Sequence, residues 1–257
     1  MWEPTDDFSF GMVYQSEAKM RLRGKYLINN ATAPQQLVAG LNSSATGQIL
    51  AAILGLPGYV PNVESGLVAM DFKYPQHFKA GIKYKIFPDL QMNFDIGWTD
   101  FAAWDKFQFE FDRQISLLKV AKLLSADVTD RSLALPLKFQ SSWRWGIGFE
   151  YSATDRLKLR MGYEPRTSSI PDDKRNTMVP INNAQLFGLG VGYRFDQDTD
   201  LDLSIGFLRS RDDIPANTSS LANKTGVDNI LLNPYAGLDI KTNTKVTLLG
   251  INYRTRW

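Results

Sequence analysis

The sequence predicts an all-β fold, a transmembrane antiparallel β-barrel with eight strands in this chain, and three observations predict it. Apolar residues recur at every second position over segments longer than ordinary globular strands. The connections between those segments alternate between short and long. Aromatic residues collect toward both ends of the apolar face. The chain has 257 residues, and its longest apolar run is the eight residues from Ile49 to Leu56. A helical span, which needs roughly 20 apolar residues, is therefore excluded, whereas tilted strands of roughly 9 to 11 residues are not.

The first strand is expected over Phe8 to Tyr26, where Phe8, Phe10, Met12, Tyr14, Met20 and Leu22 alternate with Ser9, Gln15, Glu17, Lys19, Arg21 and Arg23. Val68 to Ile86 repeats the pattern, with Pro75 expected to interrupt the ladder and bend the strand because proline has no N–H to donate. Leu90 to Asp112 follows, changing parity around Phe101 to Trp104. The remaining strands are expected at Phe139 to Tyr151, Arg156 to Glu164, Leu186 to Phe195, Asp200 to Arg209 and Lys241 to Trp257. Phe87-Pro88-Asp89, residues 152–155 and residues 196–199 are tight turns, while 27–67, 113–138, 165–185 and 210–240 are long. All long loops therefore lie at one end of a single barrel domain spanning residues 1–257.

Alternation alone leaves open which face is wet, since a soluble barrel with an apolar interior has the same period. Charge interleaved with glycine, as in Arg144, Gly146, Gly148 and Glu150 or Gly188, Gly190, Gly192 and Arg194, suits a water-filled lumen. Phe8, Phe87, Tyr151, Phe195 and Trp257 fall at the short-turn end, and Tyr26, Trp143, Tyr163 and Phe207 toward the long-loop end, as in the aromatic girdles of membrane barrels.

Composition removes other classes. The 29 basic and 27 acidic residues leave a net charge of +2, and the basic residues are scattered among acidic ones, so no nucleic-acid partner is expected. The absence of cysteine removes disulfide frameworks, cysteine zinc sites and thiol catalysis. Residues 1–7 have neither a basic start nor an apolar stretch, so no signal peptide is expected in the sequence as given. His77 is the single histidine, and no phosphate loop or nucleophile elbow precedes a helix, so no enzyme and no cofactor are expected. Asp196, Asp198, Asp200 and Asp202 mimic the start of a calcium loop but lack its glycine and closing glutamate, so no metal is expected.

The segment Tyr14 to Tyr26, YQSEAKMRLRGKY, resembles the tyrosine-serine-glutamate-lysine strand of the long-chain fatty acid and hydrocarbon transporter family (FadL/TodX) of Gram-negative outer membranes. Gly97 to Phe101, continuing through Trp104 and Phe107, is similar to the family strand that carries threonine and then a conspicuous tryptophan. Met161 to Pro180 and the Gly-rich strand after it resemble the family's serine-proline loop, arginine and isoleucine-proline stretch. The terminal aromatic Trp257 resembles the sorting signal of outer-membrane barrels. Family members are fourteen-stranded barrels with an N-terminal hatch, so the resemblance implies that this chain corresponds to the C-terminal eight strands.

The resemblance also implies a role. It points to passive uptake of hydrophobic molecules across the cell outer membrane, captured by extracellular loops and passed into the lumen. The implied partners are fatty acids, detergents and hydrocarbons, with outer-membrane lipid and lipopolysaccharide around a monomer. Ile49, Leu50, Ile53, Leu54 and Leu56 repeat at helical spacing before Pro57, and that apolar loop helix is the expected groove for an acyl chain; packing against a neighbouring loop is the alternative. Leu117 to Leu124 forms a similar run, expected to be its packing partner. A carboxylate needs a cation. The candidates are Arg21, Arg23, Lys73, Lys158, Arg160 and Arg194, against the alternative that each pairs with an acid on a neighbouring strand. A structural or adhesive barrel without transport stays open as the competing class.

Overall fold

The computed structural model describes residues 2–177, 182–226 and 235–255. Its strands are β1 (Trp2–Thr5), β2 (Phe8–Gln15), β3 (Ala18–Asn29), β4 (Val63–Tyr74), β5 (His77–Phe87), β6 (Leu90–Thr99), β7 (Lys106–Phe111), β8 (Val128–Thr129), β9 (Ser132–Pro136), β10 (Ser142–Ser152), β11 (Leu157–Arg166), β12 (Ala184–Arg194), β13 (Thr199–Ile214) and β14 (Ile240–Thr255). Helices α1 (Thr32–Asn42) and α2 (Ala45–Ile53) lie between β3 and β4, and α3 (Ser116–Ala121) lies between β7 and β8. All strand pairs are antiparallel. They form a nine-stranded sheet in the order β1-β2-β5-β6-β10-β11-β12-β13-β14 and a five-stranded sheet in the order β3-β4-β7-β9-β8.

Two sheets exist because three long segments break at one height. Pro75-Gln76 separates β4 from β5, and a 3₁₀ turn at Phe101–Ala103 separates β6 from β7. Below the break the last rungs are Gln15↔His77 and His77↔Thr99, and above it the first is Ala18↔Tyr74. The segment from Phe8 to Tyr26 is thus two strands separated at Ser16-Glu17, not one. Parity continues unchanged across that gap, so alternation could not reveal it. The neighbouring strand is what ends the ladder there. The short strand β1 also pairs with β2, and periodicity did not single it out.

Burial is inverted relative to a soluble sandwich. On β14 the outward Leu249, Ile251 and Tyr253 are 79%, 78% and 63% exposed, as a lipid-facing wall requires. The packed clusters lie in the loops instead. Ile115, Leu118, Ala121 and Val128 pack under Tyr26, Ile28 and Phe111. Val38 of α1, Val60 and Val120 form a second cluster that ties the first long loop to the second. Asn223, fully buried, donates through Nδ2 to the carbonyls of Ile214, Pro215 and Leu238 at 3.2, 2.7 and 2.8 Å, and so closes the last long loop where it is described. Between them, β13 and β14 are in register from Thr199↔Thr255 to Ile214↔Ile240.

Candidate functional site

The height at which the strands break holds a cavity of about 700 Å³. Its upper wall is aromatic. Trp104 sits at the centre, with ring centroids 5.6 Å from Phe72, 5.2 Å from Phe101 and 5.8 Å from Phe139. Tilted and edge-on arrangements of this kind favour aromatic contact over face-to-face stacking. The indole N–H donates to the carbonyl of Lys73 at 2.7 Å, one of the backbone groups beside the Pro75 interruption.

The floor is cationic. Lys79, Arg144 and Arg166 line it together with His77. Lys79 and Arg144 lean over Gly97 from the two flanking strands: a Cβ there would lie 3.0 Å from Arg144 Nε and 3.6 Å from Lys79 Cγ. Glu164 accepts from Arg166 Nε at 2.7 Å and from Arg144 at 3.4 Å, so one carboxylate serves two guanidinium groups. Lys79 has no ion-pair partner among the described residues. Even with Asp95 on the adjacent rung, facing Gly146, the floor carries an excess of positive charge. Aromatic surface above a spare cation suits an amphipathic acid, its apolar body against the rings and its carboxylate below.

Farther down the lumenal face, the rung Gly148↔Gly162↔Gly188↔Gly206 places four glycines side by side across four strands. They line a second cavity of about 670 Å³, with Leu186 and Leu248 at its edge. Toward the short-turn end the charges are mutually satisfied. Glu150 accepts from Lys158 at 2.5 Å and from Arg160 at 2.7 Å, Arg160 also meets Asp202 at 2.5 Å, and Arg194 meets Asp200 at 3.2 Å. Gly192 leaves the room this needs, because a Cβ there would lie 2.6 Å from Asp202 Oδ1.

The residues expected from the sequence divide accordingly. Ser44 caps α2 by accepting from Gly47 N–H at 3.1 Å, and Gly55, at φ +65°, ends the turn after it. Ile49, Leu50 and Ile53 are exposed on α2 and Leu54 is exposed at its C-cap, while Leu56 lies past the helix and packs against the Val38 cluster. Arg21 is held by Asp71 at 2.9 Å and Glu110 at 2.5 Å, and Lys158, Arg160 and Arg194 are paired as described. Arg23 and Lys73 have no ion-pair partner among the described residues. None of the six expected cations lines the aromatic cavity. The acidic run is likewise engaged, since Asp196 accepts from the N–H of Asp198 at 2.9 Å and Asp200 and Asp202 hold arginines. Periodicity did not single out Lys79, Arg166, Phe72 or Phe139. The signals that marked their location were Pro75 and the change of parity at Phe101 to Trp104.

Lipid-facing apolar strands, a glycine-rich charged inner face and long loops at one end define a wall of an outer-membrane β-barrel. The chain belongs to the family described as outer membrane protein transport protein (OMPP1/FadL/TodX), whose pattern it matches over residues 1–257. It is 18% identical over 212 residues to the long-chain fatty acid transport protein of Escherichia coli O6:H1 (strain CFT073), covering 82% of this chain and 41% of that protein. The fold is similar to the crystal structure of a FadL homologue from Pseudomonas aeruginosa, with a TM-score of 0.62, 15% identity, and 98% of this chain and 49% of that chain covered. It is also similar to the toluene transporter TbuX of Ralstonia pickettii, with a TM-score of 0.58, 15% identity, and 99% of this chain and 45% of that chain covered. The chain therefore spans less than half the length of each of these proteins. Its place is the outer membrane.

Proposed function

We propose that this chain forms the loop and wall part of a passive uptake route for hydrophobic small molecules, and that the route takes long-chain acids as well as neutral hydrocarbons. The observation that carries the reading is the aromatic cavity around Trp104 above Lys79, Arg144 and Arg166. The exposed apolar face of α2 makes the first contact at the long-loop end. The molecule then passes to the cavity, where burial of roughly 0.8 kcal/mol per methylene against the rings is complemented by a charge-assisted bond to the carboxylate. No bond is made or broken. The names of the relatives, one for fatty acids and one for toluene, support a broad apolar range.

Saturable binding of oleate and of toluene to the full-length protein in lipid nanodiscs tests the reading. Binding of both is expected, with each competing against the other. No saturable binding of either overturns it in favour of a structural or adhesive barrel.

A further inference from the structure

We propose that the outward face of β13 and β14, at the long-loop end, binds the phosphate groups of an outer-leaflet lipid. Because side chains alternate along a strand, Leu203, Ile205 and Phe207 share the lipid-facing side of β13 with the next two outward residues, Arg209 and Arg211. Ile251 and Leu249 occupy that side of β14, ending in Lys245. The apolar stripe from Leu201 to Phe207 spans about 20 Å of strand, close to the roughly 25 Å apolar band of a membrane barrel. The cations begin where that band ends.

Nothing among the described residues explains their pairing. Arg209 and Lys245 are directly opposite each other in the ladder, and like charges directly opposite destabilise an antiparallel pair. Both are exposed, and neither they nor Arg211 has an ion-pair partner among the described residues. The acid on the same face, Asp213, faces Lys241 at 3.8 Å. An anion from outside the chain removes the conflict, and guanidinium groups match phosphate geometry.

The surroundings specify a lipid rather than a free ion. Arg209 and Arg211 border a cavity of about 610 Å³ whose other lining includes Phe187, itself 45% exposed. Apolar surface below and cations above fit a molecule with acyl chains and a phosphorylated head lying along the wall. With the long loops outside, that leaflet is the outer one. The inference rests on the outer-membrane orientation and needs no transported ligand.

The test uses the full-length protein in mild non-ionic detergent, titrated with bisphosphorylated lipid A and followed by native mass spectrometry and thermal midpoint. Wild type should retain lipid A and be stabilised by it. The double variant Arg209→Gln, Lys245→Gln should bind at least about tenfold more weakly while its lipid-free midpoint rises, because the like-charge conflict is gone. That opposite movement distinguishes lost recognition from lost folding. Equal binding by the variant overturns the proposal, as does equally tight binding of lipid A stripped of its phosphates. Inorganic phosphate that displaces lipid A at matched concentration also overturns it, and assigns a free-anion site instead. Failure of oleate or toluene to bind leaves these outcomes unchanged.

Discussion

Trp104 donates its indole N–H to the carbonyl of Lys73 at 2.7 Å and so fastens the break in one strand segment to the break in its neighbour. Trp104→Phe keeps a ring among Phe72, Phe101 and Phe139 but leaves that carbonyl without its donor, and should cost about 1–2 kcal/mol. Trp104→Ala also empties the cluster and should cost about 3–5 kcal/mol. Denaturant unfolding in lipid, read from the heat-modifiable band on a gel, checks both. A Trp104→Phe variant as stable as wild type would show that the hydrogen bond contributes nothing beyond ring packing, and equal costs for the two variants would show that the ring adds nothing beyond the hydrogen bond.

Charge and ring contributions in the cavity should separate by ligand. Lys79→Ala is expected to weaken oleate about tenfold and leave toluene unchanged, because only oleate carries a carboxylate. Phe139→Ala is expected to weaken both. Competition titrations in nanodiscs give the two ratios, and a Lys79→Ala effect of equal size on toluene argues against a carboxylate site.

The apolar face of α2 should act without supporting the fold. Ile53 is 76% exposed and Leu54 37%, so Ile53→Asp with Leu54→Asp is expected to abolish ligand capture while far-ultraviolet circular dichroism and heat modifiability stay as in wild type. Unchanged affinity would sink the capture role.

The turn between β12 and β13 gives a pH signature. The N–H of Asp198 donates to the Asp196 carboxylate, and Thr199 adds further bonds, which holds that carboxyl below the usual aspartate range. A depressed folded value stabilises above the normal aspartate pKa, near pH 4. The stabilisation disappears as pH falls through the folded value. Asp196→Asn should therefore flatten the stability profile below about pH 4 and leave the slope near neutrality as it was, which thermal melts across pH resolve.

Two lumenal glycines on one strand should respond in opposite directions. A Cβ at Gly188 meets nothing within 4 Å, so Gly188→Ala should be neutral or stabilising by up to about 1 kcal/mol. At Gly192 a Cβ would lie 2.6 Å from Asp202 Oδ1 and 3.0 Å from the Arg160 guanidinium, so Gly192→Ala should destabilise by about 1–2 kcal/mol. Paired unfolding curves decide it.

Much of the wall was legible because a strand with lipid on one side and water on the other leaves a strict period of two. The bend at Pro75 and the irregularity near Trp104 were legible for covalent and steric reasons. The gap at Ser16-Glu17 was not, because it is imposed by a neighbouring strand and leaves parity intact. Helix α1 escaped notice because its apolar positions are sparse beside those of α2. The site was less legible than the wall. Which cations are spare depends on cross-strand partners: Arg160 is neutralised by Glu150 and Asp202 from two neighbouring strands, while Lys79 faces Gly97 and Val13 and has no ion-pair partner among the described residues. The terminal aromatic Trp257, and Met178 to Pro180 of the stretch that resembles the family, lie outside the described residues.

The glycine rung that crosses β10 to β13 bears on how smoothly a molecule moves. Side chains lining a passage make successive wells and barriers, since each must reorient as a permeant slides by, whereas main chain alone offers a nearly level path. Conduction requires binding weak enough to release. On the proposed uptake route, Gly148, Gly162, Gly188 and Gly206 would give a stretch of wall with little friction and little preference for shape, and residence time and selectivity would then be set at the cavity above it and not along the rung.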